Sequence, residues 1–154
     1  MMEFQEVIKD AFVMIGYSSV GKWDGELVYP IPSLWKKAAS FIEEEGVEKI
    51  VGICLSPRSN QYFYTCGIEI DSVNFHKVRD DMTLHTFPKN KYVVFTHRGQ
   101  AKNIPATYGE IWRVFDNNGY RIKTGMPEIE IVQIDLFGKE ECDDYEMEIW
   151  IPVG

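Results

Sequence analysis

One segment of the sequence occurs twice, and this repeat constrains the fold more than any other feature. The first copy runs from Ile31-Pro-Ser-Leu-Trp35 to Gly46, and the second from Ile104-Pro-Ala-Thr-Tyr108 to Gly119. Each copy opens with Ile-Pro, places an aromatic residue three positions after the proline and closes on glycine. Proline suits the first turn of a helix, and glycine suits the residue just past its end. The repeat therefore predicts two helices in two copies of one structural unit.

Apolar runs typical of strands surround each predicted helix in the same order. In the first half they cover 11–17, 50–55 and 62–70; in the second half they cover 92–97, 129–134 and 145–151, with a short candidate at 84–87. Each half reads strand, helix, strand, strand. We predict an α+β fold in which duplicated β-α-β-β units form a joint antiparallel sheet with two main helices on one face. We expect one domain, 1–154, with pseudo-repeats at about 1–75 and 82–154.

The charge of the chain argues against several classes of function. The 154 residues carry a net charge of −8, and lysine and arginine form no run. Binding to nucleic acid needs a basic face that neutralises phosphates, so we expect no direct nucleic-acid partner. The sequence has no apolar run of about 18 residues and does not open with a signal peptide, so we expect a cytoplasmic protein without a membrane partner.

Metal and cofactor signatures are also missing from the sequence. Neither the cysteines nor the histidines have the spacing of a zinc site, and an odd number of cysteines argues against a disulfide framework: Cys54, Cys66 and Cys142; His76, His85 and His97. There is no phosphate loop, dinucleotide fingerprint or serine-hydrolase motif. We therefore expect no metal and no cofactor.

Glu130 is the most informative single residue. In a strand, alternate residues share a face, so Glu130 lies on the same side as Val132 and Ile134. If that side meets the helices, the carboxylate is drawn toward the interior, where it must be paired or hydrogen-bonded and is a candidate ligand anchor. If it faces outward, Glu130 is an ordinary solvated strand residue. The sequence leaves both alternatives open.

Aromatic residues on the predicted helices allow a second pair of interpretations. Trp35, Tyr108 and Trp112 belong to apolar stripes that could be plain core or could frame a groove between the halves. Aromatic walls around one carboxylate suit a flat organic cation, through stacking, cation–π attraction and charge pairing. Tyr145 opens the last predicted strand, where it either covers the core or reaches across to the neighbouring strand.

Several segments, taken in order, resemble the bacterial GyrI-like effector-binding domain. They are Tyr92-Val-Val-Phe-Thr-His-Arg-Gly99, Ile104-Pro-Ala-Thr-Tyr-Gly-Glu-Ile-Trp112, Gly119-Tyr120, Pro127-Glu-Ile-Glu-Ile131 and Glu148-Ile-Trp-Ile-Pro-Val153. The resemblance covers nearly the whole chain and is strongest from Tyr92 onward. Related domains form the ligand-sensing part of AraC-type and MerR-type transcription regulators. This sequence shows no helix-turn-helix region, so we expect a stand-alone domain.

The resemblance implies a pocket between the halves and roles for particular residues. Its functional glutamate corresponds to Glu130 and its pocket tyrosine to Tyr145. The aromatic residues that would line the pocket correspond to Tyr29, Tyr108 and Trp112, and Trp35 joins them from its place on the first helix. Ligands of the family are often lipophilic cations.

Three functions follow from the sequence and the resemblance together. The first is binding or sequestration of amphipathic small molecules, cationic or aromatic, in an aromatic pocket around Glu130. The alternative is hydrolysis of cyclopropane-containing toxins, with Glu130 and Tyr145 as catalytic residues. A lesser alternative is an interaction with DNA gyrase or a regulator. Whether the chain is a monomer or a homodimer stays open.

Overall fold

The computed structural model describes residues 2–22, 30–43, 46–55, 61–70 and 78–154. In chain order its elements are strands β1 (Gln5–Lys9) and β2 (Phe12–Lys22), helix α1 (Pro30–Ala38) with a 3₁₀ extension (Ala39–Glu43), strands β3 (Lys49–Leu55), β4 (Gln61–Ile70), β5 (Thr83–Phe87) and β6 (Asn90–Arg98), a 3₁₀ turn (Ala101–Asn103), helix α2 (Ile104–Asn118), and strands β7 (Glu128–Gln133) and β8 (Glu146–Val153). None of the helices in these ranges is long and apolar enough to cross a membrane.

The described strands form one antiparallel sheet in the order β1-β6-β8-β7-β3-β4-β2-β5. The two halves meet where β3 pairs with β7, and we call this pair the seam. The predicted α+β fold, with duplicated units, a joint sheet and two main helices, is confirmed. Helix α2 ends as predicted, with Gly119 in the left-handed conformation at φ 68°. The first predicted helix is shorter, because it tightens into a 3₁₀ turn at Ala39.

The two halves exchange their edge strands. Strand β1, which the sequence reading missed, pairs with β6 of the second half. Strand β5, which opens the second pseudo-repeat, pairs with β2 of the first half. Each half of the sheet is therefore completed by a strand from the other half.

The sheet is strongly curled. Strands β1 and β2 lie six positions apart in the sheet, yet only Asp10 and Ala11 connect them. Two residues span at most about 11 Å, whereas six strand spacings of a flat sheet cover about 29 Å. The curl also brings Lys9 within 2.7 Å of Glu69 on β4. Apolar side chains fill the concave face: Met14, Val51, Ile53, Tyr92, Val94, Ile129 and Ile131.

Both helices lie on the opposite face of the sheet. Helix α1 buries Leu34 and Ala38 against the first half, and α2 buries Ile111, Val114 and Phe115 against the second half. Full burial of a side chain such as Ile111 stabilises the fold by about 1.5–3 kcal/mol. Trp35 and Phe137 contact both clusters, so they lie where the two halves adjoin.

Buried His97 fixes the beginning of α2. Its Nε2 lies 3.0 Å from the Gly99 carbonyl oxygen and 3.1 Å from that of Gln100, so Nε2 carries the proton and donates to them. The other nitrogen, Nδ1, accepts from the Thr107 hydroxyl at 2.6 Å. Because Thr107 precedes Tyr108, these contacts also hold that tyrosine in place.

Candidate functional site

Glu130 lies in the centre of the sheet, on the face that carries the helices. It is opposite Gly52 across the seam and opposite Ile149 on β8. Val132, two residues further along β7, is buried in the cluster under α2. The alternation of strand residues thus draws the half-buried Glu130 side chain toward the helices, which confirms the inward-facing alternative.

Two tyrosine hydroxyls hold the carboxylate. Tyr64 on β4 donates to Glu130 Oε1 at 2.6 Å. Tyr108 on α2 donates to Oε2 at 3.1 Å. The Tyr64 hydroxyl also accepts from the Trp35 indole nitrogen at 3.1 Å. A chain of hydrogen bonds therefore runs from α1 through β4 to β7, and α2 closes it from the other side.

Gly52 makes this arrangement possible. Tyr64 and Glu130 lie on strands that flank β3, so the tyrosine must pass over β3 to reach the carboxylate. A Cβ atom on Gly52 would lie 2.0 Å from the Tyr64 hydroxyl oxygen and 2.9 Å from Trp35 Cζ2. Glycine within a strand often marks such a close approach.

Aromatic rings lie around the Glu130 carboxylate and its tyrosine partners, on the face of the sheet that carries the helices. The Trp35 and Phe137 rings lie 6.3 Å apart, and those of Tyr108 and Trp112 lie 6.1 Å apart. Trp35, Tyr108 and Trp112 are each half-buried, so part of each side chain remains open to solvent. We call Glu130 and these aromatic residues, together with Tyr64, the seam site.

Burial controls the ionisation of the seam site. It raises the pKa of Glu130 above its ordinary value, and the hydrogen bonds from Tyr64 and Tyr108 oppose the rise. Burial and the charge of Glu130 raise the pKa of Glu128 to about 7. Both effects also hold the pKa values of Tyr64 and Tyr108 well above 10, so the two hydroxyls stay protonated and keep donating.

The structure brings several of the predicted site residues together. The seam site contains Glu130, Trp35 and Tyr108, which the hydrogen bonds connect, and Trp112, whose ring packs against that of Tyr108. Tyr145 is 4% exposed, just before β8, and among the described residues its hydroxyl makes no hydrogen bond to Glu130. Tyr29 falls outside the described residues.

The sequence reading missed three residues of this region. Tyr64 was assigned to a strand but given no role, and neither Gly52 nor Glu128 was given a role. The signal available for Gly52 was a glycine within the otherwise apolar segment Ile50-Val-Gly-Ile-Cys-Leu55. Tyr64 gave no local signal, because its partner Glu130 lies 66 residues away.

A separate cleft of about 600 Å³ lies by the N-terminal segment. Residues 2–5, Thr96 on β6, Glu110 on α2 and Glu148 on β8 are among those that line it, and none of the predicted site residues does. The described residues contain no group of three or more His, Cys, Asp and Glu side chains arranged to hold a metal ion.

One antiparallel sheet with two helices on one face is the architecture on which the comparisons with known proteins agree. The chain belongs to the GyrI-like small molecule binding domain family, whose model matches residues 2–154.

A curated relative is the transcriptional regulator BrlR of Pseudomonas aeruginosa. The two are 27% identical over 133 residues, which cover 81% of this chain and 46% of BrlR. The chain therefore spans about half the length of the curated relative it matches.

Solved structures share the fold over nearly the whole chain. The structure of SAV2435 bound to tetraphenylphosphonium has a TM-score of 0.79 at 19% identity and covers 99% of this chain and 94% of that chain. The EcmrR C-terminal domain has a TM-score of 0.69 at 13% identity, with 100% and 98% covered. A hydrolase encoded by lin2189 from Listeria innocua has a TM-score of 0.63 at 14% identity, with 99% and 92% covered.

Proposed function

We propose that this chain binds or sequesters amphipathic organic cations at the seam site, with Glu130 as the counter-charge. The observation that carries the proposal is the position of its carboxylate, half-buried between the Tyr64 and Tyr108 hydroxyls. Both partners are neutral donors, and in the described part of the chain no ammonium or guanidinium group forms an ion pair with Glu130. Its negative charge therefore remains available to a ligand.

The rings around Glu130 favour an organic cation over an inorganic one. Trp35, Tyr108 and Trp112 offer aromatic faces and edges, which attract diffuse positive charge and bury apolar substituents. A hard metal ion would need several oxygen ligands in one place. The similarity to SAV2435, which was solved with a lipophilic phosphonium cation, supports the same class of ligand.

Binding of tetraphenylphosphonium tests the proposal. Isothermal titration calorimetry at pH 8, checked by tryptophan quenching, should give saturable binding that Glu130→Gln weakens about tenfold or more, because one charge pair in a partly buried site is lost. Glu148→Gln is the matched control, since it removes the same charge from a neighbouring strand. Equal affinity in the wild type and Glu130→Gln would refute the role of Glu130.

A second candidate is hydrolysis of a strained, electrophilic ring. It is favoured by the raised pKa of Glu130, which suits a general base, and by the similarity to the Listeria innocua hydrolase. Glu130 would take a proton from water while the oxygen bonds to a ring carbon and the ring C–C bond breaks. The bonding electrons would pass to a conjugated carbonyl, and a tyrosine would protonate it and recover its proton from Glu130.

The contacts make Tyr64 a stronger candidate than Tyr145 for the proton donor, because Tyr64 already bonds Glu130. Turnover of a cyclopropane-containing alkylator, followed by mass spectrometry for the water adduct, should fall in Tyr64→Phe more than in Tyr145→Phe. Capture of the alkylator without a water adduct would leave binding alone.

A further inference from the structure

A second carboxylate lies beside the seam site. Glu128 precedes Glu130 by two residues on the same face of β7, and it is also half-buried. The rise of a strand sets their Cα atoms about 6–7 Å apart. Across the seam Glu128 is opposite Cys54. On the helix side it lies close enough to Tyr108 to raise the pKa of that hydroxyl.

Unlike Glu130, Glu128 has no hydrogen-bond partner in the part of the chain that the structure describes. Among the described residues, no donor forms a hydrogen bond or ion pair with its carboxylate. Within the described ranges, the ionisable groups that face it are Glu130 on its own strand, Tyr108 on α2 and Cys54 on β3, and none of these is a cation. Holding two such carboxylates side by side is unfavourable, and a positive charge placed near Glu128 would relieve the repulsion.

We propose that Glu128 is a second anionic anchor of the seam site, so that the site prefers dications whose two positive charges are about 7 Å apart. The inference rests on the proposed function and specifies its ligand class. A monocation paired with Glu130 leaves Glu128 either protonated or unpaired. A dication of suitable length pairs with both carboxylates while its apolar body contacts the aromatic rings.

Three phosphonium compounds test the preference at pH 8, above the pKa of about 7 to which burial and Glu130 raise Glu128. They are tetraphenylphosphonium, a tetramethylene-bis(triphenylphosphonium) and a decamethylene-bis(triphenylphosphonium), which have similar aromatic heads but different charge number and spacing. After correction for two heads per molecule, the short dication should bind the wild type about tenfold more tightly than the monocation, as expected for one more charge pair. The long dication should show less of this gain.

Two variants assign the preference to a residue. Glu128→Gln should abolish the advantage of the short dication and change the affinity for tetraphenylphosphonium less than about threefold. Glu148→Gln should keep the advantage. No preference in the wild type, or an unchanged preference in Glu128→Gln, would overturn the inference while monocation binding that depends on Glu130 still stands. If tetraphenylphosphonium does not bind at all, the proposed function itself fails.

Discussion

Replacing Gly52 with alanine should disrupt the seam site while adding only one methyl group. The new Cβ would lie 2.0 Å from the Tyr64 hydroxyl oxygen and 2.7 Å from its Cζ. Favourable contacts of this kind begin at about 3.5 Å, so the end of the ring must move by more than 1 Å. Because Tyr64 is only 1% exposed, it has little room to move. The 2.6 Å hydrogen bond to Glu130 should therefore break.

The energetic cost follows from three contributions. Loss of a hydrogen bond to a charged group costs about 1.5–3 kcal/mol, and overpacking costs about 1–3 kcal/mol. Alanine recovers about 0.5–1 kcal/mol, because it loses less backbone entropy than glycine on folding. We expect Gly52→Ala to lower the free energy of unfolding by about 1.5–5.5 kcal/mol, the sum of these contributions, measured by urea denaturation.

A double-mutant cycle isolates the contact. In a Tyr64→Phe background the hydroxyl is gone, so the penalty of Gly52→Ala should shrink by at least about 1.5 kcal/mol. Gly109→Ala is the control, since a Cβ there meets no atom within 4 Å; it should leave stability unchanged or raise it slightly. If Gly52→Ala is as stable as the wild type, or if its penalty is the same in both backgrounds, then Tyr64 does not depend on Gly52 for space.

Three further predictions concern stability. In the folded protein the pKa of Glu128 is raised to about 7, so its contribution to folding stability is fully present below the unfolded pKa of about 4.3 and is lost as the pH rises through 7. Urea denaturation should therefore show about 2 kcal/mol less stability at pH 8 than at pH 5. Glu128→Gln should reduce this dependence of stability on pH. Tyr92 buries its hydroxyl without a hydrogen-bond partner among the described residues, so Tyr92→Phe should be neutral or stabilising by up to about 1 kcal/mol in the same assay, and a loss above that would reveal a partner. His97→Leu should lower the free energy of unfolding by about 2–4 kcal/mol, because the Thr107 hydroxyl and two carbonyl oxygens lose their hydrogen-bond partner. A smaller decrease, measured by thermal or urea unfolding, would mean that other contacts hold the start of α2.

The sequence reduced the placement of Glu130 to two alternatives, because the alternation of strand residues is a short-range rule. A shift of one residue would turn every side chain of β7 to the other face, so the apolar Val132 fixes the direction of Glu130 as well. The two helices could be predicted from the sequence, since proline, glycine and the spacing of apolar residues are local signals. The first helix differs from its prediction at Ala39, where the α-helix tightens into a 3₁₀ helix.

The partners of Glu130 could not be predicted, because they depend on strand order. Tyr64 comes from two strands away in the sheet, and its reach requires Gly52 on the strand between. The sequence left open whether Tyr145 covers the core or reaches the neighbouring strand, and in the structure β7 and β8 pair over Ile129–Ile131 with Glu148–Trp150. Tyr145 stays beyond that paired stretch, within the core under α2.

Of the two edge strands, β5 was predicted as a short candidate at 84–87, whereas β1 was missed for a different reason. The five residues of β1 are mostly exposed and mix charged with apolar side chains, so they lack the pattern of a buried strand. The sequence of a short edge segment carries no signal for which edge of a sheet it will join. The exchange of β1 and β5 became visible only through the pairing register.

That exchange has a consequence for the symmetry of the molecule. A single β-β-α-β-β unit, unable to supply its own edge strand, could complete this sheet only by intertwining with a second copy of itself. In such a pair every side chain at the interface would appear twice, and a glutamate there would be matched by another. Joining the two units in one chain frees the facing strands to differ. One can then carry Gly52, which makes room for Tyr64, while the other carries the single Glu130 that the tyrosine holds.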